Sequence, residues 1–259
     1  MTTSLTDVRA LGTLLGVWAH PDDEAYLSAG LMAAARDAGS RVVCVTATRG
    51  EQGTADPVAW PPDALAAERT RELDRSLEVL GVVEHAWLGY ADGGCDAVPA
   101  EEAVATLCAA LEAVRPDTVL TFGPDGLTGH PDHRAVGRWT AAAVERAAPA
   151  GTRLLQAAFP ARRVRRWSAL DAELGVYLPG FPVVVPEDRL AVDLALDERY
   201  TARKVAALRA QATQTAGLID AMGPDVYADW VAEETFVERP RRRLQAPAPA
   251  GAGAALTAG

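Results

Sequence analysis

Apolar residues along the chain fall into short β-rich runs separated by longer stretches of helical spacing. "TLLGVWA" (13–19), "RVVCVTAT" (41–48), "HAWLGY" (85–90) and "TVLTFG" (118–123) read as strands. The first, second and fourth are nearly unbroken apolar runs, as strands buried on both faces should be. Between them, 24–38, 63–80 and 99–114 carry Ala, Leu, Glu and Arg at helical spacing. Gly39, Gly81 and Pro116 stand just beyond, where helix stops belong. A fourth helix is predicted from Asp132 to about Ala147. Alternation of this kind predicts βαβ units, hence an α/β domain with a parallel sheet covered on both faces by helices.

Past the fourth helix the pattern changes. "RLLQAAF" (153–159), "FPVVV" (181–185) and "LAVDLAL" (190–196) predict shorter strands, a long helix is predicted over about 197–220, and "ETFVER" (234–239) predicts a closing strand. No linker composition and no internal repeat divides the chain, so 1–239 is expected to be one domain with a smaller β-containing C-terminal part. The small, low-complexity stretch over 240–259 is expected to be a disordered tail.

Charge and composition then narrow the classes. A formal net charge of -10 argues against nonspecific binding to nucleic acid or anionic membrane. No run of apolar residues is long enough to span a bilayer, and the N-terminal apolar run lacks a basic flank, so it reads as the first strand and not as a signal peptide. Cys44, Cys95 and Cys108 have no paired spacing. Reduced thiols and a cytoplasmic location are the expectation. Cys44 reads as core, and Cys95, after "DGG", as an exposed and reactive thiol. "RRVRRW" (162–167) reads as a solvated face or an anion-binding edge on this acidic chain.

The chemistry concentrates in two short clusters. "HPDDE" (20–24) places three adjacent acids and a histidine directly after the first strand. Like charges this close repel, and a carboxyl pKa must rise unless a cation sits among them. "GHPDH" (129–133) follows the fourth strand, so the two clusters hold three of the four histidines; the fourth, His85, reads as structural. Loops leaving the carboxyl ends of parallel strands share one rim, so the clusters can face each other. His20, Asp23 and His133 would then offer two imidazoles and a carboxylate to one cation. That donor set suits catalytic zinc with a position open for water, and equally Fe2+. Taken alone, an aspartate before a helix is usually a cap and a single histidine a satisfied polar residue. The matched pair of clusters favours the metal.

"AHPDDE" (19–24), "TRGEQGT" (48–54), "ERTRELDRSLEVLG" (68–81) and "GHPDHRAV" (129–136) together resemble the LmbE/PIG-L deacetylases, and "YADGG" (90–94) resembles the mycothiol-pathway branch of that family. The resemblance is clear over about 13–145. Past Thr152 only "KVAALRAQATQ" (204–214) is similar, with Gln211 where a histidine is common. It implies a Rossmann-like fold and a metal-dependent hydrolase acting on N-acetylglucosamine-containing compounds. It implies metal ligation by His20, Asp23 and His133, and it makes Asp22 the general base. His130, hydrogen-bonded to Asp132, is expected to stabilise the oxyanion as an imidazolium. Arg69, which heads an R-x-x-E pattern with Glu72, is pointed by the resemblance into the cleft; spacing alone does not decide between that and an exposed i,i+3 ion pair on a helix. Glu51 and Asp92, in loops on the same rim, would accept hydrogen bonds from sugar hydroxyls or stabilise a turn.

The function expected is therefore a zinc-dependent hydrolase that removes an N-acetyl group from a small-molecule glucosaminyl conjugate by attack of metal-bound water, either as a monomer or as a homo-oligomer. The rivals are an amidase that removes a larger acyl group from an amino sugar, as mycothiol-conjugate amidases do, and a non-catalytic metal-binding protein. A dinucleotide-binding protein is disfavoured, because no G-x-G-x-x-G follows the first strand.

Overall fold

The first apolar run forms β1 (Leu14–Trp18), with every residue buried. Its neighbours are β2 (Val42–Thr46) and β4 (Thr118–Phe122), equally buried along their whole length. The computed structural model describes residues 5–241. The expectation of a disordered tail falls, from 242 on, outside the described residues. With β3 (Glu84–Trp87), β5 (Arg153–Ala157), β8 (Leu190–Ala195) and β9 (Glu233–Arg239), these strands make one seven-stranded sheet in the order β3-β2-β1-β4-β5-β9-β8. Pairing is parallel from β3 through β5, while β9 runs antiparallel to both β5 and β8. The predicted parallel sheet is present, and β8 and β9 extend it.

The predicted helices appear as α1 (Asp23–Asp37), α2 (Pro62–Leu80), α3 (Ala100–Val114) and α4 (Pro131–Ala147). α3 packs on α4 and α1 on α2, which gives each face of the sheet its cover. Gly137 lets α4 sit close on the sheet: a Cβ there would stand 2.9 Å from the carbonyl oxygen of Phe122.

The C-terminal part departs from expectation in four places. The helix predicted over 197–220 is two helices, α6 (Glu198–Arg209) and α7 (Ala212–Met222). Gln211 between them leaves helical geometry at φ -102°, ψ 49°, and its side-chain amide donates to Glu24 Oε1 at 2.7 Å and Ser76 Oγ at 3.1 Å. "RRVRRW" opens a helix, α5 (Ala161–Glu173), that is not a plain solvated face. Arg163 is buried, donates to the Trp230 carbonyl at 2.7 Å and stacks on Phe159, while Arg162 pairs with Asp193. A further short helix, α8 (Pro224–Val231), precedes β9. Of the run at 181–185 only β7 (Val184–Val185) is strand, paired with β6 (Phe159–Pro160) in a separate two-stranded sheet.

The one lysine of the chain is spent inside. Lys204 Nζ lies 2.8 Å from Glu234 Oε1, and neither side chain is exposed at all. The Glu234 carboxylate also accepts from the main-chain N–H groups of Gly30 and Leu31 in α1, both at 2.8 Å. Removing the ammonium leaves a buried carboxylate without its counter-charge. Lys204→Met is therefore expected to cost about 3–5 kcal/mol of stability. The check is the urea midpoint, and an unchanged midpoint would show that the pair contributes nothing net.

Candidate metal centre and its cavity

The strand order reverses between β1 and β4, and the loops leaving their carboxyl ends meet there. Those loops carry the two histidine clusters. His20 Nδ1 lies 3.2 Å from His133 Nε2, and the Asp23 carboxylate stands 3.7 Å from the first and 3.4 Å from the second. Donor atoms bound at about 2.0–2.2 Å around a tetrahedral cation would lie at roughly these separations.

Each imidazole is turned by a bond at its other nitrogen. His133 Nδ1 faces the Gly126 carbonyl at 3.0 Å, and its ring stacks on Phe122 at 4.2 Å. His20 Nε2 faces Asp92 Oδ1 at 3.0 Å and Asp132 Oδ2 at 3.3 Å. An N–H donated to a carbonyl or carboxylate leaves the opposite nitrogen as a lone pair, which is how metal-binding imidazoles are fixed. The same carboxylates act on the charge of His20. Burial opposes the imidazolium, but Asp132, Asp92 and Asp23 outweigh it and push its pKa up to about 10. In the metal-free site a proton thus holds the positive charge that the acids demand. His20, His130 and His133 form one candidate metal group by distance, and His20, Asp92 and Asp132 another. The second uses the His20 nitrogen already bonded to those acids, so the chemistry favours the side bounded by Asp23.

The acids are positioned by main chain. Asp132, in the first turn of α4, accepts from Gly93 N at 2.8 Å and Cys95 N at 3.1 Å. Burial opposes its charge, but His20 and these donors win and hold its pKa below the usual carboxylate range. Asp92 is treated alike: burial resists, and His20 with the Gln52 N–H brings it down to about 2. His130 caps α4, its Nδ1 accepting from the main-chain N–H of Asp132 at 3.2 Å. The expected bond from His130 to the Asp132 carboxylate is not made, since that carboxylate is turned to His20. Burial first, and then the positive charge of His20, lowers the pKa of His130.

Asp22 occupies the turn at φ 107°, a left-handed backbone rare for a residue with a Cβ. Burial pushes its carboxyl up to about 7, against the charge of Arg69 and with the charge of Asp23. Arg69 is itself buried. It donates to the Gly50 carbonyl at 2.8 Å and to the Pro21 carbonyl, and lies 3.3 Å from Asp22 Oδ2. Gly50, at φ 65°, makes room for it, because a Cβ there would stand 2.0 Å from Arg69 Nη1. The helix-surface pair with Glu72 does not exist; Glu72 accepts from Thr213 instead.

These residues line one cavity of about 550 Å3. His20, Asp22, Asp23, Arg69, Asp92, His130 and His133 all border it. Glu51 does not: its carboxylate accepts from Asp92 N at 2.8 Å and so supports the loop. Cys95 is buried and its thiol pushed up by burial and by Asp132, so it is not the exposed reactive thiol expected. His85 bonds Thr46 within the sheet, as a structural histidine should. Absent from the sequence reading is the far wall, to which α5, α7 and α8 contribute Arg163, Leu218 and Trp230.

Residues 15–144 match the family model described as PIG-L, GlcNAc-PI de-N-acetylase. A 1D-myo-inositol 2-acetamido-2-deoxy-alpha-D-glucopyranoside deacetylase from Kineococcus radiotolerans is 35% identical, covering 82% of this chain and 71% of its own. The protein of the same name from Acidothermus cellulolyticus is 34% identical, covering 79% of this chain and 80% of its own. Among solved structures, the N,N'-diacetylchitobiose deacetylase of Pyrococcus horikoshii superposes with a TM-score of 0.64 at 22% identity, covering 91% of this chain and 87% of that one. That likeness is one of fold.

Proposed function

The chain belongs to the PIG-L family of de-N-acetylases, and from that premise we propose that it is a zinc-dependent hydrolase removing the N-acetyl group of a glucosaminyl conjugate. It is an enzyme acting on an amide bond. The observation that carries the metal is the convergence of His20 Nδ1, His133 Nε2 and the Asp23 carboxylate, with the opposite nitrogen of each ring already bonded. Zn2+ fits two nitrogens and an oxygen at these separations, and Fe2+ satisfies the same donors.

A divalent cation at this point polarises an amide carbonyl and acidifies water. The remaining work falls to side chains. Asp22 borders the cavity beside all three ligands, and a carboxyl whose pKa burial raises can both accept the proton of the attacking water and return it to the departing amine. His130, neutral and with Nδ1 committed to the main chain, keeps Nε2–H as a donor for the developing oxyanion. Asp132 and Asp92 act through His20, fixing its tautomer and orientation. Asp92 also borders the cavity, where its carboxylate can meet a sugar hydroxyl. A protein that merely stored metal would not need a strained carboxylate of raised pKa beside the ligands, which argues against the binding-protein reading.

Purified protein loaded with Zn2+ should release acetate and free amine from N-acetylglucosamine conjugates. Retained metal with no turnover on any acylated amino sugar would overturn the proposal.

Arg69 supplies a sharper check. Arg69→Ala is expected to lower kcat/KM by about ten- to a hundredfold. Its charge lowers the pKa of Asp22, so its loss should move the acidic limb of the pH profile upward. A normal rate with an unmoved limb would separate Arg69 from the chemistry.

A further inference from the structure

The cavity is much larger than an acetyl group, and the wall away from the ligands is apolar. Tyr26 meets Trp230 edge-on at 5.9 Å, Arg163 stacks between Trp230 and Phe159, and Phe159 meets Tyr177. Leu218 and Val176 complete the surface.

Most polar atoms of this wall are already engaged with one another; the exception is Glu233 Oε2, which borders the cavity and has no hydrogen-bond partner among the described residues. Trp230 Nε1 donates to Asp171 Oδ1 at 2.9 Å, and the hydroxyl of Tyr227 donates to that of Tyr26 at 3.0 Å. Arg163 gives an N–H to the Trp230 carbonyl. A ring carrying a hydroxyl on nearly every carbon would shed its water here and find few partners in return. An apolar ring or chain loses nothing by the same transfer and gains from burial. The surface continues outward in the same character. Val184, paired with Phe159 across the two-stranded sheet, is half exposed, as are Leu178 and Val183 nearby.

We propose that this wall binds an aryl or alkyl group carried by the amino-sugar substrate, so that the chain acts on apolar N-acylglucosamine derivatives in preference to the inositol conjugate for which its relatives are named. This rests on the deacetylase reading. The apolar group can sit on the aglycone or on the acyl chain, and both present the same chemistry to the wall.

The first measurement avoids turnover. Phenyl glucoside and methyl glucoside contain no amide, and their dissociation constants on the Zn2+-loaded full chain can be read by calorimetry. Phenyl glucoside should bind about tenfold more tightly or better. Leu218→Asn should reduce that ratio to about threefold or less, and Val176→Asn provides an independent variant if the first does not fold. Equal affinities in the native protein would overturn the proposal, as would a ratio that survives both folded variants.

The second measurement compares kcat/KM for phenyl, methyl and myo-inositol glycosides of N-acetylglucosamine and for N-octanoyl- against N-acetylglucosamine. Preference for the phenyl glycoside puts the apolar group on the aglycone, and preference for the octanoyl amide puts it on the acyl side. Highest kcat/KM on the inositol conjugate would overturn the inference. Amine released from none of these, with the binding ratio intact, would remove the deacetylase reading and leave the apolar site standing.

Discussion

Asp22→Asn is expected to keep its metal and lose about 10²–10⁴-fold in kcat. The substitution preserves size and the capacity to accept a bond from Arg69, 3.3 Å away, but an amide cannot take the proton of water. Asp23, the next residue in the chain, is the one turned onto His20 and His133, so their contacts with it stay whole. The pH profile gives a second reading. Asp22 must be deprotonated to act, so kcat/KM falls as pH drops through its pKa. The value of about 7 belongs to the metal-free site, and a neighbouring cation draws it down. The native acidic limb should therefore lie below 7, and it should disappear or move in Asp22→Asn. Native turnover in the metal-loaded variant would transfer the role of base to another group.

His133→Ala should lose the cation and all measurable activity together. The ring is held by the Gly126 carbonyl on one edge and by Phe122 on its face, which aims its Nε2 at His20 and Asp23. His20 and Asp23 remain, and two donors hold zinc poorly. Elemental analysis after dialysis is the check, with circular dichroism to confirm folding. Full metal content in the variant would take His133 out of the ligand set.

Much of this centre could be read from residues alone, because it is local. "HPDDE" and "GHPDH" each pack donors within five positions, and the strand before each cluster announces which rim it occupies. The buried strands β1, β2 and β4 were equally legible as apolar runs. What escaped depends on contacts between distant segments. That Asp132 serves His20 instead of His130 follows from Gly93 and Cys95, whose N–H groups turn the carboxylate. The break at Gln211 carries no Gly or Pro; it follows from the reach of that side chain to Glu24, 187 positions away. α5 looked like a charged surface because four of its first six residues are arginines, yet one of those arginines is buried between aromatic rings. Periodicity reports burial of apolar residues, and it is silent about a cation that packs as a flat ring.

The carboxylate of Glu234 in β9 has a bearing on how the protein is made. Two main-chain donors of α1, at Gly30 and Leu31, are satisfied by a residue that leaves the ribosome 204 positions after the first of them. At about 5–20 residues per second, α1 waits roughly 10–40 s for its partner. For about the second half of that time the nascent chain already displays both histidine clusters, yet the helix that begins at Asp23 is not locked to the sheet. Metal capture during synthesis would therefore compete with unfinished packing, and the final strand is the step that closes the interval.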